Sequence, residues 1–159
     1  MSFSTFSGPI RSGTERYGAN RNTGLVVLAQ SYDTGTVAAA QGNVDVQAFK
    51  IPQGSQIVDI TVDQVVVPNG SSTSTVSVGT ASGGAQLMAA VATTAGGRFR
   101  GTTTAATQLA WQTSTTADTT VFVRYAIGTA DATAGRAIVT VSYVQRMPNG
   151  AQNPTTSEV

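Results

Sequence analysis

The sequence predicts an all-β fold, a single β-sandwich of about eight strands that is preceded by an extended N-terminal arm. The chain has 159 residues, a usual length for one domain with one hydrophobic core. Threonine, serine, alanine and glycine make up about half of it, which suits sheets and turns better than helices. From residue 25 onward, short β-branched runs alternate with breaks that contain Gly, Pro, Asn or Asp, a pattern typical of sandwiches and barrels.

The N-terminal arm is predicted over residues 1–24, which show no hydrophobic periodicity and are interrupted by glycines and one proline. We expect this segment to order only when it docks on a partner or a neighbouring copy. The alternative is a frayed terminus without a binding role. The candidate contact residues in the arm are three aromatic and three basic side chains: Phe3, Phe6, Tyr17, Arg11, Arg16 and Arg21.

The sandwich is predicted over residues 25–146, with one strand in each β-branched run. The breaks at 51–54 and 67–70 both place proline second and glycine fourth, which type I turns prefer. The predicted strands cover residues 25–31, 36–40, 43–51, 55–67, 73–80, 107–113, 119–128 and 135–146.

Three of these runs alternate apolar and polar residues most clearly, so one face of each is expected to be core. We expect these three strands at the centre of the sheet structure. The predicted core residues are Val58, Ile60 and Val62 in the first run, Val121, Val123, Tyr125 and Ile127 in the second, and Val139, Val141 and Tyr143 in the third.

Three further segments are not predicted as strands. Residues 83–97 contain Ala, Leu, Met and Gln between two glycine pairs, a composition that favours a short helix. Residues 98–106 are rich in threonine and are predicted to connect one sheet to the other. Residues 147–159 contain two prolines, and an irregular C-terminal tail is expected there.

The composition argues against catalysis and against a bound metal or cofactor. Cysteine and histidine are absent, which removes thiolate ligands, disulfides and the commonest general base. Nine basic and eight acidic residues leave a net charge of +1, so no strong field attracts nucleic acid or an anionic membrane. The start of the chain lacks a signal-peptide pattern, and no apolar run is long enough to span a membrane. We therefore expect a non-enzymatic protein without a cofactor.

The acidic residues and glycine pairs do not form a catalytic or phosphate-binding motif. Asp59 and Asp63 project to one strand face about 13 Å apart, which is too far for a shared metal ion, so a solvated face is expected. Asp118 and Asp131 fall in loops, where aspartate commonly caps turns. The glycine pairs lack the Gly-Lys-Ser/Thr sequence of a phosphate-binding loop and are interpreted as turns.

The segment GGRFRG at 96–101 is the most distinctive cluster in the predicted sandwich. Arg98 and Arg100 flank Phe99, and arginines beside an aromatic ring are typical contacts for carboxylates at an interface. The alternative places Phe99 in the core with two solvated arginines. Trp111 is interpreted as a core residue rather than a sugar-binding platform.

Three segments carry a resemblance to a known family: SGPIRSGT at 7–14, VSVGTASGGAQLMAAVATTAGG at 76–97 and TAGRAIVTVSYVQ at 133–145. They resemble segments of the capsid cement or decoration proteins of tailed bacteriophages. The resemblance implies a jelly-roll-like sandwich that binds the outside of an icosahedral shell, often as a homotrimer, and holds neighbouring major capsid subunits together. It also implies a place on the capsid exterior of the virion. Because the start of the chain lacks a signal-peptide pattern, synthesis in the host cytoplasm is expected.

A second hypothesis gives the same sandwich a receptor- or glycan-binding role in a head fibre or a tail-associated part. Such a site needs exposed aromatic residues in loops, whereas most aromatics here lie in predicted strands or in the arm. The structural virion role is therefore the leading hypothesis. Its candidate partner contacts are Phe3, Phe6, Arg11, Arg16, Tyr17, Arg21, Arg98, Phe99 and Arg100.

Overall fold

The computed structural model describes residues 27–36, 42–69, 73–100, 104–114, 116–128 and 132–145. The predictions for the arm at 1–24, for the tail at 147–159 and for most of the strand at 36–40 lie outside these residues. The elements are β1 (Val27–Asp33), β2 (Gly42–Ile51), β3 (Gln56–Val66), β4 (Ser74–Gly79), β5 (Met88–Ala92), β6 (Gly97–Arg100), α1 (Ala105–Ala110), β7 (Thr119–Ile127) and β8 (Arg136–Val144).

The strands pair as one long hairpin that is folded over on itself. β1 pairs with β8, β2 with β7, β3 with β6 and β4 with β5, all antiparallel. The antiparallel contacts β3–β8 and β4–β7 join these pairs into two four-stranded sheets, a first sheet β1-β8-β3-β6 and a second sheet β2-β7-β4-β5. This nested order is that of a jelly roll. The all-β sandwich predicted from the sequence is confirmed.

The core lies between the two sheets, because the strands bury alternate side chains. β3 and β8 are inner strands of the first sheet, and β7 is an inner strand of the second, as predicted. Since the inner strands are paired on both edges, their buried faces form the centre of the core. The fully buried side chains there include Ile60, Val62, Val121, Val123, Tyr125, Val139 and Val141.

β3 departs from the predicted alternation near its start. Val58, a predicted core residue, is 43% exposed, and Ile57 is buried instead. The pairing with β8 shifts between Ile57 and Asp59, and this β-bulge displaces the alternation by one residue. The prediction for Val58 is therefore wrong, although the rest of the predicted face is buried.

Three local predictions of secondary structure are wrong. The predicted helix at 83–97 contains β5, the predicted connection at 98–106 contains most of β6, and the predicted strand at 107–113 contains much of α1. Helix α1 begins at a capping box, in which the Thr104 and Thr107 hydroxyls each accept a hydrogen bond from the other residue's backbone N–H. In β5, pairing with β4 outweighs the helix propensity of alanine.

The turn after β2 also differs from the predicted type I geometry. The Ser55 N–H donates to the Pro52 carbonyl at 3.2 Å, so proline occupies the first turn position and glycine the third. Gly54 has a φ of +69°, a left-handed conformation that glycine adopts without steric cost. The second predicted turn, at 67–70, extends beyond the described residues.

Candidate interaction surfaces

The two arginines of β6 meet two aspartates of β3 on the outer face of the first sheet. Asp63 lies opposite Arg98 in the strand register. Arg98 donates from Nε to Asp63 Oδ1 at 2.6 Å and from Nη2 to Oδ2 at 3.0 Å, a bidentate contact. Arg100 Nη2 lies 3.4 Å from Asp59 Oδ2. Both arginines therefore have a carboxylate partner within the same chain.

This ion-pair ladder lies on the solvated strand face that was expected for the two aspartates. Hydrogen bonding from Arg98 lowers the pKa of Asp63, although partial burial of the carboxyl acts in the opposite direction. The same contact raises the pKa of Arg98. The arginine side chains remain 65% and 70% exposed, so part of each guanidinium is still accessible to a partner.

Phe99 faces the opposite side of β6 from its two neighbours. It pairs with Val62 of β3 and is half-buried against the core. The ring therefore stabilises the sandwich, and only its exposed part is accessible to a partner. The structure thus brings the predicted cluster together, with the arginines outside and the aromatic ring largely inside.

A further charged pair joins β1 to β8. Arg136 Nε donates to both Asp33 carboxylate oxygens, at 3.0 and 3.1 Å, and its Nη2 contacts Oδ2. Hydrogen bonds from Arg136 and then from the Gly35 N–H lower the pKa of Asp33 from 3.8 to about 2. Neither residue was predicted as part of a site, because they lie 103 positions apart and only the β1–β8 pairing brings them together.

Between these pairs, the outer face of the first sheet presents hydroxyl groups. Ser31 Oγ and Thr140 Oγ1 are 2.8 Å apart. Thr61 and Ser142 occupy the neighbouring outward positions on β3 and β8, and both are half-buried. This face therefore combines paired charges with short polar side chains.

On the second sheet, Arg124 fixes the loop between β4 and β5. Its Nη1 donates to the Gly83 carbonyl at 3.1 Å, and its Nε lies 3.7 Å from Asp45 Oδ1. Within the loop, Gln86 Oε1 accepts a hydrogen bond from the Thr80 N–H at 3.1 Å. These contacts hold the loop against the outer face of β7 and β4.

The edge of the second sheet formed by β5 is exposed and uncharged. Ala89, Ala90 and Ala92 are exposed there. The adjoining turn lies beside the end of β3, since a side chain at Gly96 would lie 3.8 Å from Val67 Cγ2. The valines at positions 65, 66 and 67 are 52%, 42% and 38% exposed. We define residues 65–67 and 88–96 as the β5 flank.

Trp111 packs at the border of the core, next to the start of β5. Its ring is half-buried against core residues, and its Nε1 donates to the Leu87 carbonyl at 2.8 Å. A buried indole commonly finds such a partner for its N–H. The environment agrees with the core interpretation rather than with a sugar-binding platform, although Trp111 follows a helix and does not lie in a strand.

The remaining predicted features divide between described and undescribed residues. Asp118 Oδ1 accepts a hydrogen bond from the Gln53 N–H at 3.1 Å and so stabilises a distant turn. Among the residues that the structure describes, no group of three His, Cys, Asp or Glu is arranged to hold a metal ion, and no helix is long and apolar enough to cross a membrane. Outside the described residues lie Asp131, Phe3, Phe6, Arg11, Arg16, Tyr17 and Arg21.

Three solved structures with a similar fold are of phage capsids. A chain of the Cyanophage Pam1 capsid asymmetric unit is 20% identical with a TM-score of 0.53, and the match covers 89% of this chain and 100% of that one. A chain of the capsid of Ralstonia phage GP4 is 19% identical with a TM-score of 0.53, over 83% and 92% of the two chains. A chain of the acidic stable capsid of Helicobacter pylori bacteriophage KHP30 is 16% identical with a TM-score of 0.52, over 76% and 88%. At these identities the likeness shows the fold alone. No protein-family model and no curated protein sequence matches the chain.

Proposed function

We propose that this chain is a structural virion protein that binds the outer surface of a phage capsid and stabilises contacts between major capsid subunits, as cement or decoration proteins do. The observation that carries the proposal is the nested jelly roll, whose counterparts in three phage capsid structures match over most of both chains. A structural rather than catalytic role is further supported by a sequence without histidine or cysteine.

The charge distribution of the sandwich supports close contact with another protein surface. Four arginines are paired with four aspartates of the same chain: Arg98–Asp63, Arg100–Asp59, Arg124–Asp45 and Arg136–Asp33. An unpaired charge is costly to remove from water, whereas a neutral pair on a partly exposed sheet face costs less. Such a surface is suited to binding another protein by shape complementarity, with a few exposed polar side chains that form hydrogen bonds to it.

In this proposal the arm at 1–24 supplies the positive charge that attracts an acidic capsid surface. Arg11, Arg16 and Arg21 are opposed there by one acid, Glu15. Charge-assisted hydrogen bonds from arginine to carboxylates would fix the arm, and the aromatic residues Phe3, Phe6 and Tyr17 would occupy shallow pockets.

Deletion of residues 2–22 tests the role of the arm. The variant is expected to keep the circular dichroism spectrum of the sandwich but to co-sediment with capsids at least tenfold more weakly than the full chain. A matched control replaces the three arginines of the arm with lysine, which preserves charge but removes the planar guanidinium. Unchanged occupancy of the deletion variant on capsids would reject the role of the arm.

The arginines of β6 are proposed as a second contact. Arg100 has the longer intramolecular contact, at 3.4 Å, and its side chain is 70% exposed, so it is the better placed of the two to donate hydrogen bonds to a carboxylate of a partner. Arg100→Gln is expected to weaken capsid binding several-fold without unfolding the chain, because an exposed ion pair contributes about 0–1 kcal/mol. Wild-type capsid affinity in this variant would exclude the contact.

We further propose that the chain acts as a homotrimer. Light scattering of the full chain in solution should then give three times the chain mass of 16.2 kDa. A single species at the chain mass over the whole accessible concentration range would contradict this part of the proposal.

A further inference from the structure

We infer that the β5 flank is the surface through which copies of this chain contact one another, with the flanks of all copies meeting around the symmetry axis of the oligomer. This inference rests on the proposed self-association and adds the surface and the residues that carry it.

The backbone of β5 has N–H and C=O groups that do not form hydrogen bonds with β4. The Thr93 N–H donates to the Ser74 carbonyl at 2.8 Å, and the Leu87 N–H donates to the Val78 carbonyl at 3.0 Å. Alternate residues of an antiparallel edge strand face its partner, so the N–H and C=O of Ala92 point away from β4. An open edge of this kind is a template for another extended chain.

The four edge strands of the two sheets differ in charge. β1 carries Asp33, β2 carries Asp45 and Lys50, and β6 carries Arg98 and Arg100, whereas β5 has no charged residue. The sequence contains no charged residue at all between positions 64 and 97. Because charged side chains commonly protect free sheet edges from association, β5 is the edge that association would cover.

The absence of charge on the flank favours a second copy of the chain as its binding partner. Near a symmetry axis identical residues approach each other, so any charged residue would face its own like charge. A different protein could instead present an opposite charge, and a charged residue on the flank would then strengthen the binding. The exposed valines at 65–67 add apolar surface beside the edge, and its burial favours association.

Charge insertion at Ala92 tests the inference, with a control in the same row of the sheet. Across the second sheet, Asn43 lies opposite Ala126, Ala126 opposite Thr75, and Thr75 opposite Ala92. Ala92→Glu and Ala92→Lys therefore place a charge on the β5 edge, whereas Asn43→Glu places one on the same face at the opposite edge. All are made in the full chain, and their assembly is measured by sedimentation equilibrium.

Each Ala92 variant alone is expected to raise the dissociation constant of the oligomer at least tenfold, while Asn43→Glu leaves it unchanged. An equimolar mixture of the two Ala92 variants should regain association, because opposite charges then meet across the axis. Circular dichroism establishes whether the variants are folded. If an Ala92 variant does not fold, Ala90→Glu and Ala90→Lys are used in its place.

Three results would overturn the inference in distinguishable ways. An oligomer that is unaffected by either Ala92 variant would assign self-association to another surface and leave the proposed homo-oligomer intact. Dissociation by both variants without recovery in the mixture would show that the flank meets a different surface of its neighbour. A wild-type chain that stays monomeric would refute the self-association on which the inference rests.

Discussion

Gly79 shows how a single residue allows the β4–β5 loop to fold back onto its sheet. A Cβ at this position would lie 2.5 Å from the carbonyl carbon of Gly84 and 2.7 Å from its oxygen, so backbone would have to move. Gly79→Ala is therefore expected to lower the free energy of unfolding by about 1–3 kcal/mol, the usual cost of overpacking. Urea unfolding followed by circular dichroism measures this loss.

The control for this prediction is Gly96→Ala. The nearest atoms to an added Cβ there are 3.8 Å away, an ordinary contact distance. The free energy of unfolding should change by no more than about 0.5 kcal/mol. Equal stability of the two variants would show that the close approach at Gly79 does not constrain the loop.

Asp33 gives a prediction about pH. Its pKa is about 2 in the folded chain against a usual 3.8, because of hydrogen bonds from Arg136 and Gly35. The folded state therefore favours the carboxylate, and this stabilisation is present above about pH 4 and lost as the pH falls towards 2. Asp33→Asn should flatten the dependence of the urea midpoint on pH in that window. Ser31→Ala, on the same strand face but without a titrating group, should keep the wild-type slope, and an unchanged slope in Asp33→Asn would contradict the assignment.

At the scale of elements, the short strand β6 is attached to β3 by two ion pairs of different quality. Arg98 contacts Asp63 through two hydrogen bonds, of 2.6 and 3.0 Å, whereas Arg100 has one contact to Asp59 at 3.4 Å. Double-mutant cycles with alanine should give a larger coupling free energy for the bidentate pair than for the other pair. Equal couplings, measured by urea unfolding, would show that geometry does not distinguish the two pairs.

The elements differ in how well local sequence patterns predict them. β7 and β8 are predictable, because their strict apolar alternation has a single structural explanation. α1 and β5 are exchanged relative to the predictions, since the alanine-rich segment pairs with β4 and the segment around Trp111 forms a capped helix turn. Tertiary pairing outweighs propensity in the first case, and in the second the hydroxyls of Thr104 and Thr107 cap the start of the helix.

At the scale of the whole molecule, the sandwich and six of its eight strands follow from the sequence, but β5, β6 and the pairing of the strands do not. Nothing local indicates that β1 pairs with β8 or that β3 pairs with β6. The Arg98–Phe99–Arg100 cluster was therefore recognisable from its residue types, whereas its aspartate partners on β3 were not. The uncharged β5 flank is likewise visible in the sequence as a run without charge, but only the topology identifies it as a sheet edge.

We propose that the chain is a structural protein on the outer surface of a phage capsid. A cryo-EM map of the particle that carries the chain tests it most directly, because the eight-stranded jelly roll can be recognised in density. The proposal predicts this sandwich on the outside of the shell, bridging neighbouring major capsid subunits, with neighbouring copies in contact through their β5 flanks. Density for the sandwich inside the shell or only on the tail, or a capsid exterior without it, would contradict the claim.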